Sequence, residues 1–247
     1  MFNQFSKRQK LFIFLFGVVL TNAIIAEIIG VKIFSIEKTL GFSPLHLPTP
    51  WGDYWDLNQT AGALNWPLVF IFSDITNDYF GKSGVRFISY MTAFFIFMAF
   101  LVIYTATHLV PADFWLEVNG IKEGFNINTA FSKIFRQGLG IILGSLTAFL
   151  VSQLFDAFVF EKIKAKTGNK MIWLRATGST ILSQALDSFL VIGIAFYLFG
   201  NWTISEWMNV SLNNYIYKFS IAVLSTPLLY LVHYITKKYL GKEEKVA

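Results

Sequence analysis

Six runs of apolar residues, each long enough to cross a lipid bilayer, alternate with polar segments along the chain. They cover approximately residues 11–34, 61–80, 85–110, 137–162, 173–199 and 213–236. A transmembrane helix needs about 20 predominantly apolar residues. We therefore predict an all-α polytopic membrane protein, in which residues 1–247 form one domain of six transmembrane helices. The first run exceeds the apolar core of a signal peptide, about 7–15 residues, so we expect it to be retained as a span.

Lysine and arginine are concentrated in alternate connections between these runs. Fourteen of the 20 lie before the first run, at the junction of the second and third, at the junction of the fourth and fifth (both including the adjoining ends of the runs), or after the sixth. Cytoplasmic loops carry such an excess of basic residues. We therefore expect both termini to lie in the cytoplasm. This distribution also accounts for the net charge of +5 without a nucleic-acid partner.

Several sequence features predict how the helices bend and pack. Pro67 and Pro227 lie within the second and sixth runs, and each is expected to bend its helix or to free a backbone carbonyl. The fourth run carries small residues at four-residue steps, which favours close approach of another helix: Gly140, Gly144, Ala148 and Ser152. The connection over residues 35–60 is long and rich in proline and glycine, and it could fold as a cap over a cavity.

Carboxylates interrupt the apolar runs at Glu27, Asp74, Asp78, Asp156 and Asp187. A charged side chain at the bilayer centre costs about 2.5–3.5 kcal/mol on insertion scales. Such residues face a bundle interior, a partner or a polar cavity. The default expectation is therefore a site or path for a polar solute.

The fourth and fifth runs repeat the pattern Ser-Gln-x-x-Asp-x-Phe, at residues 152–158 and 183–189. Residues three apart share one helix face, so Gln153 and Asp156, like Gln184 and Asp187, can present an amide and a carboxylate together. Two such pairs favour a polar binding site. The alternatives are a structural hydrogen-bonded clamp between the helices and, for Asp156, an ion pair with Arg175.

The first two runs add further polar candidates. Asp74, Asn77 and Asp78 share a face of the second helix, although Asp78 is close enough to the helix end to be a solvated cap. In the first helix, Asn22 and Glu27 are five residues apart and cannot both face one centre squarely. For Glu27, the alternative to a place in the polar site is an ion pair with Lys32.

Other chemistry is not indicated. The chain has no cysteine, and its three histidines lack metal-ligand spacing. Residues 81–83 read Gly-Lys-Ser, but position 76, where a phosphate-binding loop needs its first glycine, is Thr76. We therefore expect no metal, no cofactor and no enzymatic activity.

The run Asp-Ile-Thr-Asn-Asp-Tyr-Phe-Gly at residues 74–81, followed by Arg86, resembles the signature of the queuosine precursor transporter family, also called the vitamin uptake transporter family. A second signature is matched by Trp-Leu-Arg at residues 173–175, Ser-Thr at 179–180, Gln184 and Asp187, and the Gln153 and Asp156 pair also fits. One departure is Asp78, where the family more often has Glu.

The resemblance implies an inner-membrane importer of 7-deazaguanine precursors of queuosine, with a six-helix fold similar to the substrate-binding subunits of energy-coupling-factor transporters and no dedicated ATPase. A guanine-like edge offers adjacent N–H donors that suit a carboxylate, and aromatic rings can stack on a base. We assign substrate binding first to Asp187, Gln184, Gln153 and Asp74, and second to Asn22, Glu27 and Asp156. Structural or gating roles are assigned to Asp78, Arg86, Arg175 and Asn77.

Three other functions remain open at this point. The chain could be the substrate-capture subunit of an ATP-driven transporter, a proton or cation pathway, or a membrane-embedded enzyme. The partners expected for an importer are a small nucleobase-like substrate and the lipid bilayer. The sequence leaves open whether the protein forms a homo-oligomer.

Overall fold

The computed structural model describes residues 5–30, 32–49, 54–119, 125–136, 139–168 and 171–241. Residue 31 of the first predicted span and residues 137 and 138 of the fourth lie outside these ranges. The helices are α1 (Lys7–Ile29), α2 (Ile36–Thr39), α3 (Trp66–His108), α4 (Asp113–Asn119), α5 (Ile127–Phe135), α6 (Leu139–Thr167), α7 (Ile172–Ile192), α8 (Ile204–Leu224) and α9 (Thr226–Leu240). A 3₁₀ turn, Ala61–Asn65, precedes α3, and a π-helical segment, Gly193–Leu198, continues α7.

Four helical stretches of the described residues are long and apolar enough to cross a membrane. They are Lys7–Ile29, Ala61–Ala106, Ile127–Thr167 and Ile172–Leu198, and α8 with α9 qualifies as a fifth if the bent pair is one span. The chain is thus an all-α, multi-pass membrane protein. This count alone leaves the predicted six spans unconfirmed.

The helix α3 is interrupted at Gly81, which has φ 62° and ψ −170°. Side chains other than hydrogen strongly disfavour this backbone region, so the position requires glycine. The interruption separates the predicted second and third spans, residues 61–80 and 85–110.

Both halves of α3 pack against α1, and they do so in opposite directions. The ring contacts are Phe14–Phe72 and Phe12–Phe80 before the interruption, and Phe12–Phe87 and Phe16–Phe95 after it, with centroids 6.0, 4.9, 5.8 and 6.4 Å apart. Along the first half of α3, later residues contact earlier residues of α1, so these two helices are antiparallel. Along the second half, later residues contact later residues of α1, so these two are parallel. The two halves are antiparallel to each other, and the chain reverses at Gly81.

The two prolines differ in effect. Pro227 lies in the first turn of α9, and the axes of α8 and α9 differ by 49°, which confirms the predicted bend. The expectation for Pro67 is wrong. It lies in the first turn of α3, where its missing N–H has no helical acceptor to lose.

Small residues bring α6 close to α7, as predicted. A Cβ atom added at Gly144 would lie 3.0 Å from the Val191 carbonyl oxygen and 3.2 Å from the Ala195 Cβ. The two helices that carry the repeated Ser-Gln-x-x-Asp-x-Phe pattern are therefore direct neighbours.

The segment between α1 and α3 forms a small structured cap. Strand β1 (Ile33–Ser35) pairs antiparallel with β4 (Asn58–Thr60), and β2 (Leu47–Pro48) pairs with β3 (Tyr54–Trp55). The buried Glu37 accepts hydrogen bonds from the Leu57 amide, 2.6 Å, and the Ser35 hydroxyl, 2.8 Å. Asn213 of α8 donates to the carbonyl oxygens of Asp56, 2.9 Å, and Asn58, 3.2 Å, which ties the cap to the helices.

Candidate functional site

Buried polar side chains occupy three levels along the bundle. The side of the bundle at which α1 begins is called the N-terminal side, and the side at which α1 ends is called the cap side. Going from the N-terminal side to the cap side, the levels are the Asp78 cluster, the Asp74 level and the Asp187 cavity. Helices α3, α6 and α7 contribute residues to each level. Buried polar groups need partners, so the contacts at each level define what it can do.

The Asp78 cluster joins four helices through one carboxylate. Asp78 Oδ1 lies 2.8 Å from Arg175 Nη2 and 3.3 Å from Lys164 Nζ, and Asp78 Oδ2 lies 3.1 Å from His233 Nε2. Arg175 is fully buried and also donates to the Gly168 carbonyl oxygen at 2.8 Å. Asp78 is therefore a buried ionic junction, and its interpretation as a solvated helix cap is wrong. The alternative pairing of Arg175 with Asp156 is wrong as well, because Arg175 pairs with Asp78.

A cavity of about 540 Å³ adjoins this cluster on the N-terminal side. The turn at Gly81 forms one wall, and α6 forms the other with Glu161 and Lys164. Glu161 Oε1 accepts a hydrogen bond from the Lys82 amide at 2.9 Å. This contact fastens the chain reversal in α3 to α6.

The Asp74 level is closely packed. Ser73 donates to Gln153 Oε1 at 2.9 Å. Asp156 accepts from Asn77 Nδ2 at 3.2 Å and from the Ser183 hydroxyl at 3.1 Å.

Two voids of about 10 Å³ each lie among the side chains of this level. Asp74 lines one void, Asp156 and Gln184 line the other, and Thr180 lines both. Each void has roughly the volume that one water molecule needs. This level can hold a single small solute, not a nucleobase.

The Asp187 cavity has a volume of about 450 Å³ and lies beneath the cap. Its polar lining includes Glu27, Asp187 and Lys218, and Trp66 contributes an aromatic wall. Lys218 and Asp187 form an ion pair in which both side chains are buried. The Ser152 hydroxyl donates to the other oxygen of Asp187 at 3.3 Å.

Other side chains complete the lining of this cavity. Lys218 Nζ lies 4.7 Å from the centroid of the Trp66 ring, within the range of a cation–π interaction. Glu27 and Ser145 line the cavity together. The lining thus includes two carboxylates, two ammonium groups (Lys133 and Lys218), the Arg136 guanidinium group and the Trp66 ring.

The structure separates the predicted binding residues by level. Asp187 and Glu27 line the large cavity, whereas Asp74, Asp156 and Gln184 line the small voids, as does Gln153. Asn22 donates to the Val18 carbonyl oxygen of its own helix at 2.8 Å. Their roles in binding stay predictions.

The residues assigned to structural or gating roles also lie at different levels of the bundle. Asn77 is at the Asp74 level, Asp78 and Arg175 form the cluster, and Arg86 is exposed on α3. A gating role for each of them remains a prediction.

Sequence reasoning missed Lys218, the cationic partner of Asp187. The signal was present, because Lys218 interrupts the sixth apolar run in the same way that the carboxylates interrupt the others. The cost of a buried charge applies to lysine as it does to aspartate. His233, Lys164 and Trp66 were missed too, since nothing in their local sequence indicates the contact that each makes.

Comparison with known proteins places the chain in a family. Residues 60–232 match the family described as "Putative vitamin uptake transporter". The chain is 26% identical over 194 residues to the "Probable queuosine precursor transporter" of Bacillus subtilis (strain 168), covering 78% of each chain. It is 25% identical over 190 residues to the "Queuosine precursor transporter" of Escherichia coli (strain K12), covering 76% of this chain and 79% of that one.

A third relative is the "Probable queuosine precursor transporter" of Haemophilus influenzae, 27% identical over 172 residues, which cover 69% of this chain and 66% of that one. No solved structure matches the chain. The family match covers well over half of the sequence and confirms the resemblance that the motifs indicated. The chain therefore belongs to the putative vitamin uptake transporter family of multi-pass membrane proteins.

Proposed function

We propose that this protein imports 7-deazaguanine precursors of queuosine across the inner membrane. The names of the three relatives support this substrate class. The observation that carries the proposal is the Asp187 cavity, a chamber of about 450 Å³ in which charged side chains lie in a mainly apolar lining. Small-molecule sites have volumes of about 300–1,000 Å³, so a two-ring base fits.

The lining of the cavity suits a guanine-like base. Such a base presents adjacent N–H donors on one edge and a carbonyl oxygen beside them. Glu27 can accept from the N–H groups, because a carboxylate accepts two parallel hydrogen bonds. Lys218 can donate to the carbonyl oxygen, and the Trp66 ring can stack on the base.

Asp187 has a supporting role in this scheme. Its carboxylate holds the Lys218 ammonium group inside the cavity. Ser152 fixes the orientation of the carboxylate from the other side. Binding of the base by Gln153, Gln184, Asp74 and Asp156 stays a prediction, and the volume of the adjacent voids favours a smaller occupant in this conformation.

Six spans follow if α3 is counted as two antiparallel spans that meet at Gly81. The opposite packing directions of its two halves on α1 support this count. Basic residues support a cytoplasmic N-terminal side: Arg8 donates to the Tyr79 carbonyl oxygen, and Lys7 lies 6.0 Å from the Tyr239 ring near the end of α9. The Asp187 cavity then faces the outside, where the substrate arrives.

The Asp78 cluster is the barrier on the cytoplasmic side in this proposal. It joins α3, α6, α7 and α9 beneath the Asp74 level. Release of a base into the cytoplasm requires these contacts to open. We also propose that the fold is similar to that of the substrate-binding subunits of energy-coupling-factor transporters.

The test uses a cell that cannot synthesise queuosine precursors and lacks its own importer. The cell carries this gene, and each candidate base is supplied in turn while queuosine in tRNA is measured. Modified tRNA is expected with at least one 7-deazaguanine base, and Asp187→Asn should reduce it while Glu117→Gln, an exposed carboxylate of α4, should not. Absence of modification with every base, at normal expression, would refute the proposal.

A further inference from the structure

Three buried oxygen atoms at the Asp74 level lack hydrogen-bond partners. They are Asp74 Oδ1, Asn77 Oδ1 and Gln184 Oε1, and their residues are only 7%, 1% and 3% exposed. Each of these atoms is an acceptor, since a carboxylate or amide oxygen cannot donate. Leaving a buried polar atom unpaired costs about 1–3 kcal/mol, so three at one level call for an occupant.

The charges at this level are unbalanced. Asp156 accepts hydrogen bonds from Asn77 Nδ2 and the Ser183 hydroxyl, which favour its ionised form. Asp74 is within electrostatic reach of Asp156 and Asp78, which repel its negative charge, and of Arg175, which attracts it less strongly. Neither Asp74 nor Asp156 forms a salt bridge with any residue in the described ranges.

The adjacent voids have the size of a single small ion. Asp74 lines one and Gln184 lines the other, and Thr180 lines both. Asp74 Oδ1 and Gln184 Oε1 have no hydrogen-bond partner, so their lone pairs can bind a ligand. Oxygen ligands of this kind bind hard cations.

We propose that Asp74 and Thr180, which line the same void, form a binding site for one sodium ion, with Gln184 and Asp156 at the adjacent void beside it. A monovalent cation balances the charge of Asp74, whereas Ca²⁺ needs 6–8 oxygen ligands and generally more negative charge. A proton on Asp74 would satisfy one acceptor and leave the others unpaired. A sodium ion accepts electron pairs from several oxygens at once.

The site lies one helical turn from the Asp187 cavity. Gln184 and Asp187 are three residues apart on α7, and Ser152 lines the Gln184 void while it donates to Asp187. Sodium at the Asp74 level therefore holds α7 and α6 in the arrangement that shapes the larger cavity. If the proposed import is correct, uptake of the base is coupled to sodium entry.

Sodium binding is tested without any base, so the result does not depend on the proposed import. The thermal unfolding of the purified protein in detergent is measured in NaCl, KCl and choline chloride at equal ionic strength and pH. A saturable rise in Tm is expected in NaCl only. Asp74→Asn should shift the half-saturating sodium concentration upward by about tenfold or more, because it removes the ligand charge.

Two threonine variants complete the experiment. Thr180→Val should weaken the sodium response, while Thr92→Val, at an equally buried threonine that lines neither void, should preserve it. If Asp74→Asn does not fold, the sodium responses of the wild type, Thr180→Val and Thr92→Val are sufficient to test the proposal. Equal Tm values in the three salts, or an undiminished sodium response in Thr180→Val, would overturn the proposal. Stabilisation by lower pH with no sodium effect would also overturn it, in favour of a proton on Asp74.

Discussion

Lys218 determines how Asp187 can act. A carboxylate that is buried beside an ammonium group is neutralised, so it positions that group rather than offering a free negative charge to a substrate. Removing one partner of a buried ion pair leaves the other uncompensated, at a cost of about 3–5 kcal/mol. Replacing both partners with neutral groups avoids most of this cost.

Lys218→Met should therefore lower the free energy of unfolding by about 3–5 kcal/mol, because Asp187 remains buried without a partner. The double variant Lys218→Met with Asp187→Asn should recover most of that loss. Denaturant unfolding of the purified variants in detergent measures both values. A single variant as stable as the wild type would contradict the ion pair.

For single residues, the sequence indicates which buried polar side chains have a structural or functional role, but it does not predict which residues they contact. The carboxylates stand out because charge in an apolar run is costly. Whether Arg175 reaches Asp78 or Asp156 depends on the rotation of α7 and on its offset relative to α3, and local sequence encodes neither. The preference of Arg175 for Asp78 could be found only from the assembled helices.

Gly81 is the element that turns one long helix into two antiparallel halves. Gly81→Ala should destabilise the protein by about 1–3 kcal/mol, since φ 62° with ψ −170° strains any residue that has a Cβ. Space is not the reason, because an added Cβ would have no atom within 4 Å.

Gly17→Ala is the matched control for this substitution. Gly17 also has no atom within 4 Å of an added Cβ, but it lies in the interior of α1 with ordinary helical geometry. Alanine there should leave stability unchanged or raise it by about 0.5–1 kcal/mol. Equal effects of the two substitutions, measured by thermal unfolding, would refute the strain argument.

The cap depends on an ionised Glu37. The hydrogen bond from the Leu57 amide lowers the pKa of this carboxyl below its ordinary value of 4.5. A lowered pKa means that Glu37 contributes to stability above its ordinary pKa and that the contribution is lost as the pH falls through the lowered value. The cap should therefore loosen in acid below pH 4.5.

A spin label at Tyr54→Cys measures this loosening, since the chain has no other cysteine and residue 54 is exposed in β3. The label should become more mobile as the pH falls below 4.5. With Glu37→Gln added, it should be mobile at neutral pH already. No change in mobility with pH in the wild-type background would show that Glu37 does not hold the cap.

The lengths of the apolar runs predict where the long helices lie. They do not predict where each helix begins or where its geometry changes. The turn at Gly81 lies where the prediction separates the second span from the third. Pro67 was expected to bend a helix that in fact begins one residue earlier, because apolarity does not mark where helical geometry starts. The π-helical segment Gly193–Leu198 had no indication in the sequence either.

For the whole molecule, six spans and cytoplasmic termini predict opposite locations for two exposed positions. Ser83, just after the turn at Gly81, should face the cytoplasm, and Tyr54 in the cap should face the outside. Single cysteines at these positions can be labelled cleanly because the native chain has none. In intact cells a membrane-impermeant maleimide should label Tyr54→Cys and spare Ser83→Cys until the cells are opened. Labelling of both from outside would contradict the proposed topology.

In the proposed mechanism a 7-deazaguanine base enters the Asp187 cavity and crosses the membrane without a second protein. The most direct measurement is uptake of a labelled base into liposomes that contain only the purified protein, compared with Glu27→Gln. The charge-assisted hydrogen bond from the base to Glu27 is worth about 1.5–3 kcal/mol, so Glu27→Gln should reduce kcat/KM by about tenfold or more. We expect saturable uptake by the wild type, and unlabelled 7-deazaguanines should compete with the labelled base. Uptake no faster than in empty liposomes, under imposed sodium and proton gradients alike, would contradict it.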